Sequence, residues 1–450
     1  MRLLPGSESM TQGVLNFAVA STDERLTPRA GEIVFGEYLK AIGLDRMCNT
    51  HLPLPQSNKG YAPFAFVQPL ILMLHSGGKS LEDLRTVSGD NALCQILKID
   101  KVPTADGTGK WLRRHGLRGV YGMERINRTL LGRYLNPVKD GLVLDIDATV
   151  ISSQKRTAEI TYKMEPGYTP MIGHINGGYV VHSEFRSGNI PPADHNLSFV
   201  QRCIAQLPKG RSLSYLRADS ASYQHALFDY CEEANITYTI GARLDSRILE
   251  NIQEISRWQP LNTQKGEHHY LCEEVAEFWH TMEESEHAFR IVVVKKSVTP
   301  LLPNIWEMLS KEERLALAQE RYHVIATNAD PKTMDAGAVV HFYRQRGDRS
   351  ENRIKELKGG FHMDHLPSSD FIGNAFYFQI VVLAYNLFLL FKKTLHHSWQ
   401  KHTIQTLRYK LYNIAGKVIT HSRQTILKVQ QEYVEILTAI RQKIYIISLE

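Results

Sequence analysis

The chain has 450 residues, of which 43% are hydrophobic and 22% charged. That balance excludes a disordered polyelectrolyte and provides apolar surface for two or three structural units. The net charge of +6 is too mild to establish a polyanion partner by itself. The five cysteines (Cys48, Cys94, Cys203, Cys231, Cys272) are scattered and form no Cys-x2-Cys pair, which favours reduced thiols over a disulfide framework or a structural zinc.

Residues 1–25 read as a polar leader without an apolar core of signal-peptide length. Residues 30–135 are predicted to be mostly helical. FGEYLKAIGL and FVQPLILMLHSG carry apolar residues at helical spacing, and Ser80 offers an N-cap to SLEDLRTV. VPTADGTGKWLRRHGL reads as a turn and a short basic helix, similar to the second half of a helix-turn-helix. Between Lys110 and Lys139 there are eight Lys/Arg against one acid; between Lys392 and Glu450 there are ten against three. These two basic segments suit a polyanion, because each neutralised phosphate releases counterions. A pair of solvated helix faces would give the same counts.

From residue 141 the texture becomes strand-like. GLVLDIDATVI alternates apolar and other residues, and Gly177-Gly178 separates two runs that read as paired strands. SLSYLRADSASY predicts a strand ending at Asp219-Ser220, and ITYTIGARL another. HHYLCEEVAEFW, HAFRIVVVKKS and RYHVIATN are further strand candidates, with a polar helix, IWEMLSKEERLALAQER, before the last. After Asp335 the chain turns helical again. The stretch 371–391, FIGNAFYFQIVVLAYNLFLLF, is long enough to span a membrane. Asn374, Gln379 and Asn386 interrupt it, so a buried core helix is the better reading. Residues 400–445 are predicted to form one or two amphipathic helices.

Three acids stand out. Asp147 lies near the end of a buried strand, where a charge is costly unless paired or bound to a metal. Asp145, two residues earlier, shares its face. Asp219 also ends an apolar strand. Carboxylates at adjacent strand ends can converge on a hard cation such as Mg²⁺, and a third would complete a two-metal site. HFYRQRGDRSENRIKELKGGF supplies one: if helical, it gathers Tyr343, Arg346, Glu351 and Lys358 within an arc of roughly 140°. Gly347 threatens the first turn. By spacing alone, turn-capping Asp residues and a surface Glu are the favoured reading over catalysis.

These residues resemble the DDE transposases of bacterial insertion sequences, in the group with a Tyr-x2-Arg-x3-Glu-x6-Lys signature. LDIDATVI is similar to that family's first-Asp strand and selects Asp147 over Asp145. YLRADSASY is similar to the second-Asp strand and selects Asp219. YRQRGDRSENRIKELKGGF resembles the signature helix with Tyr343, Arg346, Glu351 and Lys358, and 371–391 the buried helix that follows. One departure stands: four residues, not three, separate Arg346 from Glu351, so Arg349 competes with Arg346.

The resemblance implies an α/β fold, an RNase H-like mixed-sheet catalytic core with an inserted β-rich subdomain and a helical N-terminal region. The implied units are a helical DNA-binding region (1–135), the first part of the core (136–244), the β-rich insertion (245–330), the second part of the core with the signature helix (331–400) and basic C-terminal helices (401–450). It further implies Asp147, Asp219 and Glu351 as catalytic ligands of two Mg²⁺ or Mn²⁺ ions. The activity would be cleavage at element ends and strand transfer into target DNA. Tyr343, Arg346 and Lys358 would hold DNA phosphates. Arg113, Arg114, Arg408, Lys410, Lys417 and Arg423 are the basic residues expected to face double-stranded DNA. A homodimer in a synaptic complex, no membrane, and a cytoplasmic, nucleoid-associated location complete the expectation. The alternative is a catalytically inactive, transposase-derived DNA-binding protein. Trp258 and Trp279 are either core or base-stacking residues. His362 and His365 would hold a metal only with distant partners, and no Gly-rich phosphate loop supports ATP-driven chemistry.

Overall fold

A computed structural model describes residues 14–15, 17, 19–57, 60–135, 141–261, 273–285, 287–296, 309–347 and 351–449. Lys139, Cys272 and Arg349 lie outside the described residues. The fold is mixed α/β around a large sheet.

After a short strand β1 (Arg25–Thr27), the N-terminal region is helical as expected. Ser80 caps its helical turn through a capping box with Asp83. The segment read as a short basic helix is instead a helix of 30 residues, Ala105–Tyr134. It is kinked where Gly116 takes φ +38°, ψ −119°, a conformation open to glycine and hard for other residues. This helix lies along a second long one, Phe371–Lys392. Gly119 permits the approach, because a Cβ there would overlap the Phe376 ring. The N-terminal helices therefore share one apolar core with the rest of the chain.

The strands follow in chain order: β2 (Leu142–Ala148), then a small sheet of β3 (Ile151–Ser152), β4 (Glu159–Ile160) and β5 (Pro166–Tyr168), then β6 (Met171–Ile175) and β7 (Val180–Glu184). β8 (Leu213–Ala218) and β9 (Thr237–Gly241) complete the core. β10 (Gln259–Pro260), β11 (Glu274–His280), β12 (Phe289–Lys295) and β13 (Tyr322–Thr327) come from the β-rich insertion. Among the described residues, nine of these form one sheet, ordered β10-β11-β12-β13-β9-β8-β2-β6-β7. β2, β8 and β9 run parallel, and β6 and β7 pair antiparallel beside β2. This is the RNase H-like arrangement. The inserted strands do not fold apart from it: β13 pairs antiparallel with β9 and carries the sheet onward.

That continuity positions the third segment. Val275, Val292, Val294 and Ile325 of the inserted strands form a second apolar cluster with Ala336, Val339 and Val340. The last three belong to the helix Ala336–Arg346, capped by Asp335. The insertion is thus the floor on which the signature helix rests.

Helix Phe371–Lys392 passes the length and hydropathy test for a membrane span, yet 94% of that window is buried inside the protein. Its polar residues stitch it to edge strand β7. Asn386 accepts from Val180 N (2.9 Å) and donates to Val180 O (2.8 Å) and to Asn127 Oδ1 (2.7 Å). Gln379 donates to Ser183 O at 2.9 Å. The amides thus satisfy backbone groups that an edge strand leaves open.

The C-terminal expectation is corrected. Residues 416–429 form a hairpin of β14 (Gly416–His421) and β15 (Gln424–Val429) that pairs with β1, and only Gln431–Ile447 is a long helix. Ser422 and Arg423, both at positive φ (+49° and +66°), make the two-residue turn. Such turns match strand twist, and the alternation in KVITHSRQTILK has strand period.

Candidate active site

Asp147 is the penultimate residue of β2, and Asp219 follows β8, its parallel neighbour. Their carboxylates meet at one guanidinium: Arg346 Nη2 lies 3.2 Å from Asp147 Oδ2 and 3.9 Å from Asp219 Oδ2. Asp219 also caps the turn Ser220–Ser222, accepting from Ala221 N at 3.0 Å, so turn-capping and site position coexist in one residue. Burial dominates the protonation of Asp147 and pushes its pKa up to about 6; Arg346 opposes this, while Asp219, Asp145 and Glu351 add to it.

Asp145 has a different task. It is buried and takes a bidentate pair from Arg217, Nε to Oδ1 at 2.7 Å and Nη2 to Oδ2 at 2.9 Å. Arg217 also donates to Phe342 O at 2.8 Å, which binds the signature helix to β2 and β8. Arg353 Nη1, from the short helix Asn352–Lys355, approaches Asp145 Oδ2 at 3.5 Å. Asp145 is therefore a fully occupied anchor, and Asp147, one strand repeat onward, is left with the mouth of the site. Sequence reading missed Arg217 and Arg353, since nothing in their spacing ties them to Asp145.

Tyr343 is half-buried, its ring tilted at 47° against His323 with centroids 5.2 Å apart. Its hydroxyl lies over Gly241, where a Cβ would sit 2.9 Å from that oxygen and 3.1 Å from Ser220 N. Gly241 thus lets the signature helix close onto the Asp219 turn. Lys358 is half-buried and donates to Val150 O at 2.6 Å, just beyond the Asp147 strand. Burial lowers its pKa. Tyr162, from the turn between β4 and β5, stands close enough that Asp147 and Asp219 raise its pKa after the larger effect of burial. It is a further neighbour that the sequence did not mark.

The signature segment is not one regular helix. Gly347 and Glu351 are π-helical, as are Glu356–Gly360. Glu351 stands apart from the two aspartates. Its side chain is 67% exposed and paired with Lys355 at 2.7 Å, although it is near enough to raise the Asp147 pKa. The structure therefore brings Asp147, Asp219, Arg346 and Tyr343 together, places Lys358 at their edge, and leaves Glu351 at the rim. The donor set of carboxylate oxygens fits a hard divalent cation, and the buried Asp147 charge is what such a cation would stabilise.

The outer basic residues divide. Arg113, Arg114, Arg118, Arg125 and Arg128 are all exposed on helix Ala105–Tyr134. Lys410 and Arg423 are exposed. Lys417 is half-buried and paired with Glu24. Arg408 is corrected: its half-buried guanidinium turns inward and donates to Leu74 O, His75 O and Gly360 O, so it fastens helix ends. Trp258 stacks on Tyr322 with Lys295 over its ring, whereas Trp279 is 61% exposed on β11.

The family description "Transposase DDE domain group 1" matches residues 15–445. The chain therefore belongs to the DDE transposase family. Comparison with curated proteins gives no match.

Proposed function

We propose that this transposase cuts DNA at the ends of its element and joins the freed 3′-hydroxyl to target DNA. The observation that carries the reading is the meeting of Asp147 and Asp219 on Arg346, at the ends of two parallel strands. Asp147, Asp219 and Glu351 would hold Mg²⁺ or Mn²⁺. Two such ions would activate the attacking oxygen and stabilise the leaving one.

This chain's own residues position the substrate. Arg346 is fixed by the two aspartates, so its remaining N–H groups offer a preset fork to a phosphate. Tyr343 hydrogen-bonds Arg346 and would help to hold its guanidinium in place. Lys358, tethered to Val150 O, presents a charge next to the strand end that carries Asp147. The exposed arginines on helix Ala105–Tyr134, with Lys410 and Arg423, are assigned to phosphates farther along double-stranded DNA, where contacts position without reading sequence. Arg113 and Arg114 are retained in this set. A homodimer in a synaptic complex and a cytoplasmic, nucleoid-associated location belong to the same reading.

The second reading, a DNA-binding protein without catalysis, is favoured by one observation: Glu351 faces solvent and pairs with Lys355. Cleavage of DNA carrying the element ends, with Mg²⁺, separates the two. Native protein should cut; Asp219→Asn and Glu351→Gln should lose on the order of 10²-fold or more, since a metal ligand contributes several kcal/mol of transition-state stabilisation. Binding without cutting by the native protein establishes the second reading.

A further inference from the structure

We propose that His362, Asp364 and His365 form a site for a borderline transition-metal cation of the Zn²⁺ class, separate from the three catalytic acids. Among the described residues, these three place one ligand atom each within 4.8 Å of one another. Around a zinc ion at its usual bond lengths, ligand atoms sit roughly 3.3 Å apart, so small rotamer adjustments close the gap. His365 Nδ1 is already 2.9 Å from Asp364 Oδ1, and the two imidazole centroids are 5.3 Å apart.

The backbone holds the three ligands on a fixed platform. Phe361, Met363 and Leu366 are buried, and the residues between them face outward. Met363 N donates to Leu357 O at 3.0 Å, and His365 N donates to His362 O at 2.9 Å, closing a tight turn. His362 takes φ +53° to enter that turn. The distant partners that the His-x2-His spacing alone demanded are not needed, because the left-handed entry turns Asp364 into the third ligand.

The donor chemistry selects the ion. Two imidazoles and one carboxylate suit Zn²⁺ and its transition-metal neighbours, whereas Mg²⁺ prefers an all-oxygen set. Three protein ligands leave a position open for water or a fourth group. Arg408 is occupied by the carbonyls of Leu74, His75 and Gly360. The turn links the Lys358 segment to helix Phe371–Lys392, and Asp364 acts electrostatically on Lys358. A cation held here would therefore pin the segment that carries Lys358.

The test is calorimetric titration of ZnCl2 into the full chain at neutral pH with excess Mg²⁺. The comparison set is His365→Ala, Asp364→Asn and the double variant Asp147→Asn/Asp219→Asn, with circular dichroism to verify folding. One Zn²⁺ per chain is expected. Affinity should fall at least about tenfold in His365→Ala and in Asp364→Asn, because even indirect supports of a metal site are worth that much. It should stay unchanged in the aspartate double variant. Native protein without stoichiometric Zn²⁺, undiminished affinity in both turn variants, or loss of Zn²⁺ in the aspartate variant would each overturn the proposal. DNA cleavage is read separately, so failure of the nuclease reading with Zn²⁺ binding intact leaves this site standing.

Discussion

Asp147→Asn is expected to stabilise the divalent-free protein at pH 7.5 while removing its cleavage activity. The Asp147 pKa rises from 3.8 to about 6 because burial outweighs the attraction of Arg346. One pKa unit corresponds to about 1.4 kcal/mol, so keeping the carboxylate ionised in the fold costs at most about 3 kcal/mol. Asparagine deprives Arg346 of its charged partner, and the Asp147 side chain is 20% exposed; a net gain of about 1–2 kcal/mol is therefore expected. The folded state binds this proton more tightly than the unfolded chain. The penalty is thus absent below pH 4, grows as the pH climbs, and is complete above pH 6. Melting curves of native and variant protein at pH 4 and pH 7.5, without divalent ions, measure it. Adding Mg²⁺ at pH 7.5 should then raise the native midpoint and leave the variant unmoved, by mass action on the folded state. A variant less stable than the native protein at pH 7.5 refutes the reasoning, because the attraction of Arg346 would then outweigh the cost of burying the Asp147 charge.

Arg217→Met should destabilise the fold by about 3–5 kcal/mol in denaturant titration, since it strands the buried Asp145 carboxylate. Asn386→Leu removes the partner of Val180 N and of Asn127 Oδ1 and one of the two donors to Val180 O, and should cost about 2 kcal/mol or more in the same assay. Arg113→Ala with Arg114→Ala should leave the melting midpoint unchanged and weaken binding to double-stranded DNA. The slope of log affinity against log salt should fall by about 1 for each phosphate that is no longer neutralised; an unchanged slope removes these two residues from the interface.

The two aspartates and most of the strands were legible in the chain because local signals agreed. Alternation marked β2, strand-like runs marked β8, β9, β12 and β13, apolar strand ends marked Asp147 and Asp219, and amide interruptions separated a core helix from a membrane span. A weak pattern was read wrongly where two periods competed. The hairpin at 416–429 carries strand alternation, yet the Leu-, Lys- and Tyr-bearing segments on either side of it invited helices, and pairing with β1 decided the matter from about 390 residues away. At Ala105–Tyr134 the segment read as a short basic helix instead continues, kinked at Gly116, along the neighbouring long helix.

What composition and spacing determine by themselves is which acids stand at strand ends, which segments alternate, and which helix is apolar on all sides. They leave open which of two adjacent acids faces a site, because Asp145 and Asp147 share one strand face. Only the folded chain brings Arg217 onto Asp145 and Arg346 onto Asp147, and only it turns Arg408 inward while leaving Arg114 outside. Those assignments depend on side chains separated by tens to hundreds of residues, whose charges find partners solely through packing. Local sequence encodes propensity, and electrostatic pairing in a buried site is a property of the whole fold.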